Sequence, residues 1–174
     1  TAQLDETKLP FVIRYPRGQG VMPEWRTPMQ RIEIGKGRMI KDGEDVAILT
    51  IGHPGNFAVE ACKELNSDGI NPAHYDLRFV KPLDQELLHE VFTRFKNVIT
   101  VEDGCLQGGM GSAVLEFMAD NGYKSNVTRL GIPDEIVEHG EQPELWALCA
   151  YDTTAIIQTV KKIAVSRPTK IMAS

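Results

Sequence analysis

A chain of 174 residues, 42% of them apolar, is long enough to bury one sizeable core. Its 19 Lys plus Arg against 24 Asp plus Glu give a net charge of −5, with no block of like charge to attract nucleic acid or a membrane surface. The longest apolar runs fall far short of the roughly 18 residues a bilayer span needs, and the first residues lack the basic and apolar pattern of an export signal.

Taken in chain order, Pro10-Phe11-Val12-Ile13-Arg14-Tyr15 reads as a buried strand with no helix after it, only a Pro- and Gly-rich stretch over 16–28. It is expected to be the last strand of a preceding domain. On that reading residues 1–20 hold this strand and the start of a linker, 21–30 the linker, 31–166 an α/β domain and 167–174 a tail. Within 30–42, Ile32, Ile34, Met39 and Ile40 alternate around Gly35-Lys36-Gly37, which predicts an antiparallel edge strand with a bulge at the glycines.

Residues 46–51 form a near-continuous apolar run, as a parallel strand covered on both faces requires. The stripe Phe57, Ala58, Ala61, Cys62, Leu65 then predicts an amphipathic helix that stops near Gly69. A second strand over 73–79 is followed by Asp84 as N-cap and a helix with Leu87, Leu88, Val91, Phe92 and Phe95 inward. A third strand, 98–102, passes through Gly108-Gly109-Met110-Gly111-Ser112 into a helix closed by Gly122, and a fourth strand spans 127–130. Two short helices, 143–149 and 153–164, complete the chain, the last capped by Asp152. Strands separated by helices of this length pair in parallel through right-handed crossovers. The predicted fold is a three-layer αβα sandwich with a mostly parallel sheet and an antiparallel edge strand.

Candidate chemistry collects at loops and strand ends. Gly108-Gly109-Met110-Gly111-Ser112 leads into a helix whose free N–H groups favour an anion, but it lacks the Gly-Lys-Ser/Thr of a phosphate loop; close packing of the helix on the strand end is the competing reading. Glu102-Asp103 ends the third strand, where open α/β sheets bind ligands, and the two acids serve either acid/base work or capping of the glycine turn. Arg14 and Arg17 sit in Arg14-Tyr15-Pro16-Arg17-Gly18, where a strand exit presents planar guanidinium groups suited to phosphate. An Arg78–Asp84 pair is expected to lock the turn after the second strand. His53 and His139 lie in loops at helix starts as candidates for an active-site rim, while His74 and His89 read as structural or exposed. No His or Cys spacing suits a metal. Cys62, Cys105 and Cys149 read as reduced, cytoplasmic thiols, with Cys62 and Cys149 on buried helical faces.

These motifs, with Ile34-Gly35-Lys36-Gly37, Arg78-Phe79-Val80-Lys81-Pro82-Leu83-Asp84, Thr100-Val101-Glu102-Asp103 and Gly131-Ile132-Pro133-Asp134 before His139-Gly140, resemble the 1-deoxy-D-xylulose-5-phosphate synthases in the same order over nearly the whole chain. The resemblance implies a transketolase C-terminal-like domain, preceded by the last strand of a pyrimidine-binding domain. It implies a homodimeric, thiamine-diphosphate- and Mg²⁺-dependent transferase of isoprenoid and thiamine biosynthesis, acting on pyruvate and D-glyceraldehyde 3-phosphate. By the same resemblance Arg17 grips the aldehyde's phosphate, Arg14 supports it, and Glu102, His53 and His139 are rim or dimer contacts. The Gly-Asp-Gly motif that holds Mg²⁺ and diphosphate is absent, so the fragment is expected to be inactive alone. Two departures stand out: Asp103 replaces a usual second Glu, and His53-Pro54-Gly55-Asn56 is an unusual turn. The competing readings are the β subunit of a 2-oxo-acid dehydrogenase, which shares variants of these motifs, and a non-catalytic dimerisation module.

Overall fold

The computed structural model describes residues 10–16, 20–21, 28 and 30–165. Its elements in order are β1 (Arg38–Lys41), β2 (Ala47–Ile51), α1 (Pro54–Ser67), β3 (Ala73–Asp76), α2 (Gln85–Arg94), β4 (Asn97–Cys105), α3 (Met110–Asp120), β5 (Asn126–Ile132), α4 (Gln142–Leu148) and α5 (Thr153–Val165). The sheet order is β1-β3-β2-β4-β5, with β1 antiparallel to β3 and every other pairing parallel.

Period-two alternation along the buried strands feeds two cores. Ala47, Leu49, Tyr75 and Val98 meet Leu88, Val91 and Phe92 of α2 and Val114 and Phe117 of α3. Val46, Ile48, Ile99 and Val101, facing the other way, meet Ala58, Ala61 and Leu65 of α1 and Ile156 and Val160 of α5. A sheet covered on both faces makes the predicted three layers. Both predicted caps form: Asp84 Oδ1 accepts from Leu87 N at 3.1 Å and Asp152 Oδ1 from Ala155 N at 2.8 Å.

Residues 10–16 carry no regular secondary structure, and Val12, Ile13 and Tyr15 are exposed, with no strand among the described residues to pair with them. Several other expectations need correction. The edge-strand bulge falls between Met39 and Lys41, while Gly35, at φ 75°, turns the chain before the strand begins. The second strand of the sequence reading stops at Asp76, beyond which Arg78 adopts φ 58°. Arg78 pairs with Asp76, whose Oδ1 accepts from its backbone N at 3.1 Å, and not with Asp84. Asp84 is engaged by α2 and by Gly37 N. Cys149 is half-buried at the end of α4, unlike the buried Cys62.

One core group ties the fold to pH. His74 is 1% exposed, and its Nε2 lies 2.9 Å from Thr50 Oγ1. Burial above all holds its imidazole at about 4, against an ordinary 6.5. The unfolded chain therefore takes up this proton near pH 6.5 and the folded chain only near 4, so the stability contribution is whole above 6.5 and is lost as pH falls between the two. The loss should reach on the order of 3 kcal/mol. Urea unfolding midpoints from pH 7 to 4.5 should fall less steeply in His74→Leu than in the wild type; parallel profiles would show that His74 is not the group involved.

Candidate functional site

Strand order reverses direction between β2 and β4, and the C-terminal ends of strands at such a switch point border a crevice. Ile51 pairs with Glu102, so the residues leaving these two strands emerge side by side. Alternation along β4 then sends its two adjacent acids to opposite faces.

Glu102 points toward α3. It is 4% exposed, and its two oxygens accept from Met110 N at 2.7 Å and Gly111 N at 2.8 Å, satisfying the first turn of the helix with a negative charge at its positive end. Close approach depends on bare α-carbons. A methyl group on Gly109 would collide with Glu102 Oε2 and the Cys105 carbonyl, and one on Gly131 would meet Glu102 Cγ at 3.1 Å. Of the two readings of the glycine motif, close packing is the one observed. The anion at this helix start is the protein's own carboxylate.

Asp103 points toward α1 and α5. Its Oδ2 lies 3.1 Å from His53 Nε2, and its Oδ1 accepts from Tyr151 Oη at 2.9 Å. His53 precedes α1, and its ring is 5.6 Å from Phe57 and 5.4 Å from Trp146. Burial pushes the His53 imidazole below its ordinary value; Asp103 opposes the shift and Arg14 adds to it. Burial and the bond to Asp103 push the Tyr151 phenol well up. Near neutral pH, then, His53 is largely uncharged and Tyr151 is a proton donor.

Outside this chain of side chains lies an open pocket of about 310 Å³, lined by Asp103, His139, Gln142, Leu145, Trp146 and Tyr151 among others. His139 lines this pocket together with Asp103, whereas His53 is not among its lining residues and meets it through Asp103 and Trp146. Arg14 also reaches this edge, its Nη1 lying close to Gly104 and its charge felt by His53 and Tyr151. Arg17 lies outside the described residues. Among the described residues no group of three or more His, Cys, Asp or Glu side chains could hold a metal ion, and no helix is long and apolar enough to cross a membrane.

Tyr151 and Trp146 were not singled out in the sequence. Tyr151 stands immediately before the Asp152 cap of α5, where an apolar residue fixes the chain's entry into a helix; that position is a usable signal. Trp146 had none, because its contacts with His53 and Phe57 join segments about ninety residues apart.

Comparison with known proteins agrees with this architecture. Residues 35–156 match the family described as transketolase, C-terminal domain. The chain is 62% identical over 164 residues to the 1-deoxy-D-xylulose-5-phosphate synthase of Cytophaga hutchinsonii, covering 94% of this chain and 26% of that protein. It is 52% identical over 163 residues to the synthase of the same name from Bacteroides fragilis, covering 93% and 25%. The chain spans about a quarter of the length of these curated relatives. A solved structure described as a split gene transketolase, inactive β4 tetramer, superposes with a TM-score of 0.72 at 32% identity, covering 83% of this chain and 47% of that one.

Proposed function

The chain belongs to the transketolase C-terminal domain family, and from that premise we propose that it is the C-terminal part of a 1-deoxy-D-xylulose-5-phosphate synthase, joining pyruvate to D-glyceraldehyde 3-phosphate with loss of CO₂. The observation that carries this reading is the 62% identity to a synthase of that name, sustained over 94% of the chain. A cytoplasmic homodimer, with residues 1–20 closing a pyrimidine-binding domain, belongs to the same proposal.

The described residues do not fit thiamine diphosphate and Mg²⁺. Glu102 occupies the glycine-rich helix start that a diphosphate would need, and none of the carboxylates gathers into a metal-binding group. On this proposal the cofactor is held by the remainder of the longer protein and supplies the electron sink for decarboxylation there. This chain's share is the acceptor end of the site. Arg17 receives the aldehyde's phosphate and Arg14 supports it, while Glu102, His53 and His139 serve as active-site rim or dimer contacts.

A non-catalytic dimerising role describes the same domain seen without its partners and does not compete. The β-subunit reading does. Assaying the full-length protein with pyruvate plus glyceraldehyde 3-phosphate, and separately with pyruvate plus a lipoyl acceptor, divides them. Turnover with the aldehyde alone is expected. Acyl transfer to the lipoyl acceptor without aldehyde condensation would replace the synthase reading.

A further inference from the structure

We propose that the cleft between the C-terminal end of β4 and α4 is a binding site for a small organic cation, a protonated amine on an apolar body. Asp103 meets the charge and Trp146 the body. The proposal goes beyond the synthase reading and does not depend on it.

Asp103 and the His53-Pro54-Gly55-Asn56 turn, the two places where the chain departs from the synthases' usual pattern, meet at one contact: His53 Nε2 lies 3.1 Å from Asp103 Oδ2. Tyr151 Oη donates to the other oxygen at 2.9 Å. A carboxylate has about four acceptor positions, so about half remain open. The Asp103 side chain is 32% exposed and lines the cleft, where those positions are within a ligand's reach. Both donors are held by packing. Tyr151 is 3% exposed, and the His53 ring sits against Phe57 and Trp146. The carboxylate is therefore fixed before a ligand arrives, which lowers the cost of ordering it on binding.

Charge selects the class of ligand. With His53 largely uncharged and Tyr151 protonated near neutral pH, neither donor neutralises Asp103. Glu138 brings a second carboxylate to the cleft, and no lysine or arginine is among the described residues that line it. Arg14 lies at Gly104, on the Glu102 side of the strand. Among the described residues no carboxylate group suits a metal ion, which leaves an organic cation as the partner for this charge. Leu145 and Trp146 of α4, with Ile132 of β5, supply the apolar wall. An indole face attracts a cation more strongly than any other side-chain ring. The volume of about 310 Å³ lies at the small end of the range for ligand pockets, which suits a single aromatic amine.

Ligand-observed NMR on the full-length protein tests the site with benzylamine and its neutral counterpart, benzyl alcohol. At pH 8, where an ordinary imidazole is uncharged and an amine is not, benzylamine should bind in the millimolar range and benzyl alcohol about tenfold more weakly. Asp103→Asn keeps the shape and removes the charge, so it should abolish that preference. Trp146→Leu should weaken both probes alike. If Asp103→Asn does not fold, Glu138→Gln on the exposed loop carries the charge test, with benzylamine weakened about twofold to threefold and benzyl alcohol unchanged. No binding of benzylamine, equal affinity for the two probes, a wild-type preference in the charge-removing variant, or a Trp146→Leu loss confined to one probe would overturn the site. Binding is read without turnover, so any of these results leaves the synthase reading standing.

Discussion

Replacing Glu102 by alanine should destabilise the domain by about 3–5 kcal/mol, the range expected when two buried charge-assisted hydrogen bonds are lost together. The carboxylate is 4% exposed and accepts from Met110 N at 2.7 Å and Gly111 N at 2.8 Å. Its removal strands both donors at the positive end of α3, away from water. Nothing nearby can fill the gap, since Gly104, Gly109 and Gly131 border the carboxylate with bare α-carbons. Glu102→Gln keeps the shape but turns an amide donor toward one of the two N–H groups, so roughly half the loss should remain. Urea unfolding followed by circular dichroism measures both. A Glu102→Ala midpoint equal to the wild type would mean that the glycine motif, and not the carboxylate, holds α3 to the sheet.

This result would also explain why two adjacent acids have different duties. The sequence places Glu102 and Asp103 at a strand end, and their pairing tempts a reading as a single acid/base site. Period-two alternation separates them: Glu102 goes to α3, and Asp103 goes to His53 and Tyr151. The rule was legible from the residues, but applying it required knowing that the strand continues past Glu102. β4 runs on to Cys105 because Cys105 finds Ile132 opposite it on β5, a pairing that local apolar pattern cannot reveal.

The strengths of the sequence reading follow the same logic. Helices with a clear apolar stripe and a side-chain cap, as at Asp84 and Asp152, are specified by neighbours in the chain and were found within a few residues. Phe11-Val12-Ile13 has the composition of a strand, but a strand exists only with a partner, and the described residues supply none. Proximity in sequence alone pairs Arg78 with Asp84. The positive φ of Arg78 turns its backbone N–H back onto Asp76, and Asp84 is already committed to α2. The His53, Trp146 and Tyr151 grouping depends on α4 and α5 returning to the edge where α1 begins, which is a property of topology.

Arg17 carries the largest expected effect on activity, and its variant tests the central claim that this part of the protein receives the acceptor's phosphate. The phosphate is charged in the substrate and in the transition state alike, so its partner contributes uniform binding. Losing one hydrogen-bonded contact to a charged group costs about 1.5–3 kcal/mol, and on the proposed reading Arg17 makes no contact with pyruvate. The direct measurement is the steady-state kinetics of Arg17→Ala in the full-length protein with each substrate varied in turn. The account predicts an aldehyde KM raised at least about tenfold, with the pyruvate KM and kcat little changed. An unchanged aldehyde KM, with or without a fall in kcat, would contradict it.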